Sequence, residues 1–173
     1  MGKKLKAHDL GTIELNGKVV VSDPCYTHGT WCATALQNVK PGTWYVESWE
    51  AYEDSWDGHM LVVRHESYKE HVFPKKSLDA VLGIDSGQVG IYDMEEFRND
   101  DVVEKLKEAG VDTPIGVLED DVWYSYACHL GYTPPAKIVG NGVTSTSGYG
   151  DGTAQLLVDY NSKGQIIRIG VNF

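Results

Sequence analysis

GIDSGQVGIYD, residues 83–93, sets three glycines and two aspartates among apolar residues within eleven positions. Gly83, Gly87 and Gly90 free the backbone to adopt positive φ or to approach another group closely. Asp85 and Asp93 are then left to point out of the turns as acceptors, with Ser86 and Gln88 as adjustable donors. SGYGDG at 147–152 has the same make-up: Ser147, Tyr149, Asp151 and three glycines. Two such loops in one domain are expected to meet at one end of the sheets that carry them.

The rest of the chain supplies those sheets. Segments 12–15 and 18–22 flank Asn16-Gly17, whose preference for positive φ predicts a two-residue hairpin. A short helix is expected over 30–39, a strand over 43–50 with a partner over 59–66, and a helical turn over 77–82. In the middle, Val102, Val103, Leu106 and Ala109 share one helical face. Asp100 and Asp101 oppose the positive dipole end of that helix, Lys105 and Lys107 suit the other, and Gly110 suits the stop. A second helix is expected from Glu119-Asp120-Asp121, burying Trp123, Tyr126, Ala127 and Leu130 until Pro134-Pro135 blocks it. Three runs rich in Val, Ile and Leu (137–145, 153–160 and 165–171) read as strands, with a turn over 161–164. The expected fold is one α+β domain over residues 1–173. It has a mainly antiparallel sheet, sandwich-like or strongly curved, and two or three helices.

Composition narrows the function classes. The chain has 173 residues, 42% of them hydrophobic, which suits a genuine core. Its formal charge of -10 opposes non-specific binding to nucleic acid or to anionic membrane. No apolar run approaches the ~20 residues that span a bilayer. The start, MGKKLKAHDL, is basic without an apolar segment behind it, and Lys6 stands where a myristoylation signal wants Ser or Thr. Three cysteines, an odd number, suit reduced thiols. A cytoplasmic protein is the expectation.

Most familiar signatures fail. Gly148, Gly150 and Gly152 precede a strand rather than a helix, so no helix dipole receives a pyrophosphate there. Asp159, Asn161 and Gly164 open like a calcium loop, but Lys163 and Gly170 occupy ligand positions. Cys25, His28 and Cys32, with Cys128-His129, offer soft ligands at a spacing unlike paired zinc knuckles, and buried free thiols are commoner. Trp44, Tyr45, Trp49, Tyr52 and Trp56 crowd into thirteen residues, either as core or as stacking surface for a planar ligand. The two glycine loops keep three readings open. Asp85, Asp93 and Asp151 could be hard oxygen ligands for Mg²⁺ or Ca²⁺. Their turn N–H groups could hold an anion. Or the aspartates cap their own turns.

DPCY at 23–26, GIDSGQVGIYD at 83–93, WYSYAC at 123–128, SGYGDG at 147–152 and a final GQIIRIGVNF strand run in this order over about 150 residues. On these motifs the chain resembles an uncharacterised family of bacterial and bacteriophage proteins that carry a domain of unknown function. The resemblance implies a cytoplasmic globular domain in which Asp23, Cys25, Asp85, Gln88, Ser147 and Asp151 serve one purpose. The leading expectation is a small-molecule-binding protein without turnover, its pocket lined by Asp23, Asp85, Ser86, Gln88, Ser147, Tyr149 and Asp151. From the resemblance comes an anti-defence role, sequestering a nucleotide-like signal of the host. The alternatives are a divalent-metal-dependent hydrolase and a protein–protein interaction module that uses exposed tryptophans. A homo-oligomer suits a small sheet domain with an apolar face.

Overall fold

The computed structural model describes residues 5–27, 29–51, 59–108, 110–111, 121–132 and 136–173. Strands β1 (Leu5–Leu15), β2 (Val19–Ser22), β3 (Ala33–Leu36), β4 (Gly42–Ala51), β5 (Met60–His65), β6 (Lys76–Ile84) and β7 (Gln88–Asp93) come first. Helices α1 (Asp101–Glu108) and α2 (Val122–Gly131) follow. The described chain closes with β8 (Lys137–Ile138), β9 (Gly142–Thr146), β10 (Gly152–Tyr160) and β11 (Ile166–Asn172).

The strands form a six-stranded sheet, order β1-β4-β5-β11-β10-β6, and a five-stranded sheet, order β3-β2-β7-β9-β8. Every pairing between these strands is antiparallel, and neither sheet closes into a barrel. The α+β class expected from the sequence is the class observed.

Period-two alternation sorts side chains between two cores. Val19 and Val21 of β2, Val89 and Ile91 of β7 and Val143 of β9 face the larger sheet. There they pack against Trp44, Val46, Leu61, Val63, Leu156, Val158, Ile169 and Val171. Val20 and Tyr92, on the other face of the smaller sheet, pack against Phe97, Val102, Val103, Leu106, Trp123, Tyr126 and Ala127. The molecule therefore has three layers, with the smaller sheet in the middle. Full burial of each such aliphatic or aromatic side chain is worth roughly 1.5–3 kcal/mol.

Helix α1 follows its sequence signals: Val102, Val103 and Leu106 are buried, and Lys105 and Lys107 occupy its last turn. Gly110 stands just past it at φ +80. Residues 112–120 and 133–135, where the start and the stop of the second helix were expected, lie outside the described residues, as do His28, Tyr52 and Trp56.

Four local expectations are corrected. Asn16-Gly17 makes no hairpin: β1 pairs with β4 in one sheet and β2 pairs with β3 and β7 in the other. Only Gly17 of the pair has positive φ, +98, so the chain crosses between layers there. The expected helix over 30–39 is instead strand β3, held by β2. The expected helical turn over 77–82 lies in β6, held by β10. In both, sheet pairing supplied by distant segments outweighs weak local preference. The single strand expected over 137–145 is β8 and β9, separated by a turn with Gly140 at φ +58.

A buried histidine gives this architecture a pH dependence. His59 precedes β5, its Nε2 is 2.7 Å from the Ser145 hydroxyl of β9, and its ring stacks on Phe173 at 5.1 Å. Burial pushes its pKa down from 6.5 to about 4. Between those values the unfolded chain takes up a proton that the folded chain refuses. The stability present above the unfolded value is therefore lost as the pH falls toward the folded one, by up to about 3 kcal/mol. Urea denaturation from pH 7 down to pH 4.5 is expected to show this loss, and His59→Gln to flatten the slope over that window.

Candidate functional site

The two glycine loops are adjacent crossings between the sheets. Residues 85–87 lead from β6 in the larger sheet to β7 in the smaller, and 147–151 lead from β9 back to β10. The register sets them side by side, with Ile84 opposite Gly152 and Gln88 opposite Thr146. The Ser147 N–H donates to the Gly87 carbonyl at 2.8 Å. A Cβ on Gly87, at φ +70, would lie 3.4 Å from the Gly150 Cα. Positive φ and backbone-to-backbone approach together explain the glycines.

A third segment is locked to them by one carboxylate. Asp23, fully buried after β2, accepts the Asp85 N–H at 2.8 Å, the Ser86 N–H at 2.7 Å and the Ser86 hydroxyl at 2.7 Å. It also accepts the Cys25 N–H at 2.8 Å, as an Asx turn over Pro24. A buried charge is tolerated where it is so fully hydrogen-bonded. Above this clamp the Tyr26 hydroxyl donates to Asp85 at 2.7 Å, and the Tyr26 and Trp31 rings meet edge to face at 6.2 Å. Trp31 lies on Gly83, where a Cβ would come within 2.0 Å of the indole.

Helix α2 closes the fourth side. Trp123, Tyr126 and Ala127 face the core. The Tyr124 hydroxyl, on another face, accepts from the Cys128 thiol at 3.8 Å. Gln88 is buried beneath the helix; its Nε2 donates to the Cys128 carbonyl at 2.7 Å, and its Oε1 has no hydrogen-bond partner among the described residues. A Cβ on Gly131 would come within 2.8 Å of the Gln88 Nε2, so a glycine there lets the helix end touch the sheet. Arg98 ties helix and loop together, donating to the Pro24 carbonyl at 2.7 Å and pairing with Asp121.

Several expected lining residues are thus engaged internally. Asp23 and Ser86 form the clamp, and Ser147 is buried, with its hydroxyl bonded to Gly150 backbone within its own loop. Asp85, Tyr149 and Asp151 remain exposed. Tyr149 is about half exposed while its hydroxyl donates to the Thr153 carbonyl at 2.7 Å. Asp93 stands elsewhere, at the far end of β7, accepting the Asn16 N–H at 2.7 Å and the Glu95 N–H at 3.0 Å. Five strand steps from Gln88 amount to about 16 Å, so Asp93 does not join Asp85 and Asp151. Among the described residues, no group of three or more His, Cys, Asp or Glu side chains stands where it could hold a metal ion.

Several phenols here, and the thiols of Cys32 and Cys128, are held in their neutral forms. Asp85, as acceptor and as neighbouring charge, raises Tyr26 to about 12, and burial raises Cys32 to about 11. Burial also pushes Cys128, Tyr132 and Tyr149 upward, and Tyr132 feels the charge of Asp151. The surface therefore offers O–H and S–H donors, two carboxylates and exposed rings: Trp31 and Tyr132 are each 61% exposed. Tyr26, Trp31, Tyr124 and Tyr132 were missed as site residues by the sequence reading. The legible signal was the four-residue spacing of Tyr124, Cys128 and Tyr132, a helical stripe distinct from the core stripe. Of the tryptophan-rich segment, Trp44 is fully buried and Tyr45 is stacked by Arg64 at 4.7 Å.

Comparison of the chain with protein families, with curated proteins and with solved structures found no match. No helix among the described residues is long and apolar enough to cross a membrane.

The clamp is testable by removing it. Asp23→Ala leaves three buried or half-buried N–H groups without an acceptor and is expected to cost about 3 kcal/mol or more in chemical denaturation. Ser86→Ala, which removes one donor and leaves the carboxylate bonded, is expected to cost about 1 kcal/mol.

Proposed function

We propose that the surface shared by residues 23–26, 85–88, 147–151 and α2 binds a small planar ligand of nucleobase type without turning it over. The observation that carries this reading is the convergence of four separate segments on one surface, where aromatic faces stand beside neutral donors and carboxylates. Trp31, Tyr132 and Tyr149 offer faces for stacking, worth roughly 1–3 kcal/mol per base. Asp85, Asp151 and the Tyr26 hydroxyl oxygen offer acceptors that would read the N–H groups of a base edge.

The same chemistry supports binding over turnover. A thiol or phenol is a nucleophile or base only when ionised, and the Tyr26 phenol and the Cys32 and Cys128 thiols are shifted the other way. A phosphate would meet Asp85 and Asp151, so the base end of a nucleotide is the better fit for this surface. The resemblance to bacteriophage proteins supports the wider proposal, in which the protein withholds a nucleotide-like signal from host defence.

Thermal-shift titration tests the reading. Purines or pyrimidines, free or as nucleosides, are expected to raise Tm by several degrees at saturating concentration. Trp31→Ala and Tyr149→Ala are each expected to weaken binding about 5- to 50-fold, in line with the loss of one stacking partner. A shift by divalent metal ions alone would favour the hydrolase reading, and no shift by any base would end the nucleobase reading.

A further inference from the structure

On the outer face of the larger sheet, two arginines stand side by side. Alternation turns Trp44, Val46, Val63 and Ile169 toward the core, and their neighbours Tyr45, Arg64 and Arg168 away from it. The register sets one row across four strands: Tyr45 of β4, Arg64 of β5, Arg168 of β11 and Asp159 of β10. The acids take the flanks. Glu47 of β4 accepts from Arg64 Nη2 at 2.9 Å, and Asp159 accepts from Arg168 Nη1 at 3.1 Å. The two central strands of the row oppose like charges, carried by Cβ atoms about 5 Å apart.

Both guanidinium groups are covered: Arg64 is 4% exposed and Arg168 8%. Residues 66–75, between β5 and β6, lie over them. His71 pairs with Glu47 at 2.7 Å, Phe73 packs on Trp49 at 4.8 Å, and the Lys75 N–H donates to Asp159 at 3.0 Å. The Tyr68 carbonyl accepts from Arg64 Nη1, and the Tyr68 ring lies 5.8 Å from the Arg168 guanidinium. Yet the Nε–H of each arginine is buried with no hydrogen-bond partner among the described residues. An unmatched buried donor on a charged group is costly, and a pair of them on adjacent strands calls for an acceptor.

We propose that Arg64 and Arg168 together hold an oxyanion of phosphate class, whose oxygens accept the two Nε–H groups beside Tyr68. Guanidinium groups suit this task because their planar donors match the spacing of phosphate oxygens. Lys40 adds a third positive charge against the two carboxylates of the flanks. Its Nζ donates to the exposed Ser67 hydroxyl at 2.7 Å and lies 5.5 Å over the Tyr68 ring. The formal charge of -10 repels anions at long range. Charges beyond about 8 Å are largely screened at physiological ionic strength, so the local cations decide. This site is separate from the glycine loops: seven strand steps along β10, from Gly152 to Asp159, amount to about 23 Å.

The chain has three arginines, which makes a direct experiment possible. The full chain, labelled with the heavy nitrogen isotope, is titrated with inorganic phosphate at constant ionic strength while the arginine Nε–H resonances are followed by NMR. The resonances of Arg64 and Arg168 are expected to move together and saturate. Arg98, bonded to the Pro24 carbonyl and Asp121, is the internal control and should stay still. Glycerol phosphate separates the two sources of the anion. Movement with it as well assigns the site to the phosphoryl end of a larger ligand, and movement with inorganic phosphate alone assigns it to the free anion. Arg168→Lys keeps the charge and loses the Nε–H, and is expected to weaken phosphate binding about 10-fold or more. The thermal shift by nucleobases should survive that change, which separates this site from the one proposed above. Resonances that stay still in phosphate, that move equally in sodium chloride, or an Arg168→Lys protein that binds phosphate as tightly would each overturn the proposal. Should that variant fail to fold, the titration of the unaltered protein decides alone.

Discussion

One buried carboxylate joins the two halves of the candidate site. Asp23 follows β2 of the middle layer, and its oxygens take up the N–H groups of Asp85 and Ser86 at a crossing between sheets, together with that of Cys25 in its own turn. Without an acceptor at that place, the tight turn at 85–87 would present buried donors to nothing, at a cost of about 1–3 kcal/mol each. The clamp also sets what remains outside: with Ser86 turned inward, Asp85 is left exposed to meet Tyr26.

The layered architecture explains why glycine is concentrated where it is. Each glycine loop must carry the chain from one sheet to the other in a few residues, and the two loops do so side by side. Gly87 supplies the positive φ and Gly150 the room. In β7 the glycine serves packing instead. A Cβ on Gly90 would come within 2.2 Å of the Tyr92 hydroxyl, whose ring lies along the middle sheet and bonds Thr144 at 2.7 Å.

How much of this was legible depended on whether the signal was local. Helix α1 could be read from its stripe and its charges, and the 161–164 turn from Gly164, because those preferences act within a few residues. Pairing could not. Asn16-Gly17 carries a strong hairpin signal, yet Ile13 and Leu15 belong to one sheet and Val19 and Val21 to the other, with all four in the same core. Only the tertiary fold distinguishes a turn within a sheet from a crossing between sheets. For the site, the glycine loops were legible as special backbone and their meeting was expected. The division of labour among their polar residues was not, because Ser86, Ser147 and Asp23 look like ligand contacts in sequence and are internal ties in the fold. Tyr124 and Tyr132 went unnoticed because a helix rich in aromatics reads as core until its second stripe is placed.

The account rests on Asp23 holding the 85–87 crossing to the loop after β2. Residue-resolved amide hydrogen exchange on the native protein tests that directly. The amides of Cys25, Asp85 and Ser86 are expected to exchange far more slowly than their exposure would allow, and to lose protection together when Asp23 is replaced by Ala. Fast exchange at Asp85 and Ser86 in the unaltered protein, or protection that survives the replacement, would contradict it.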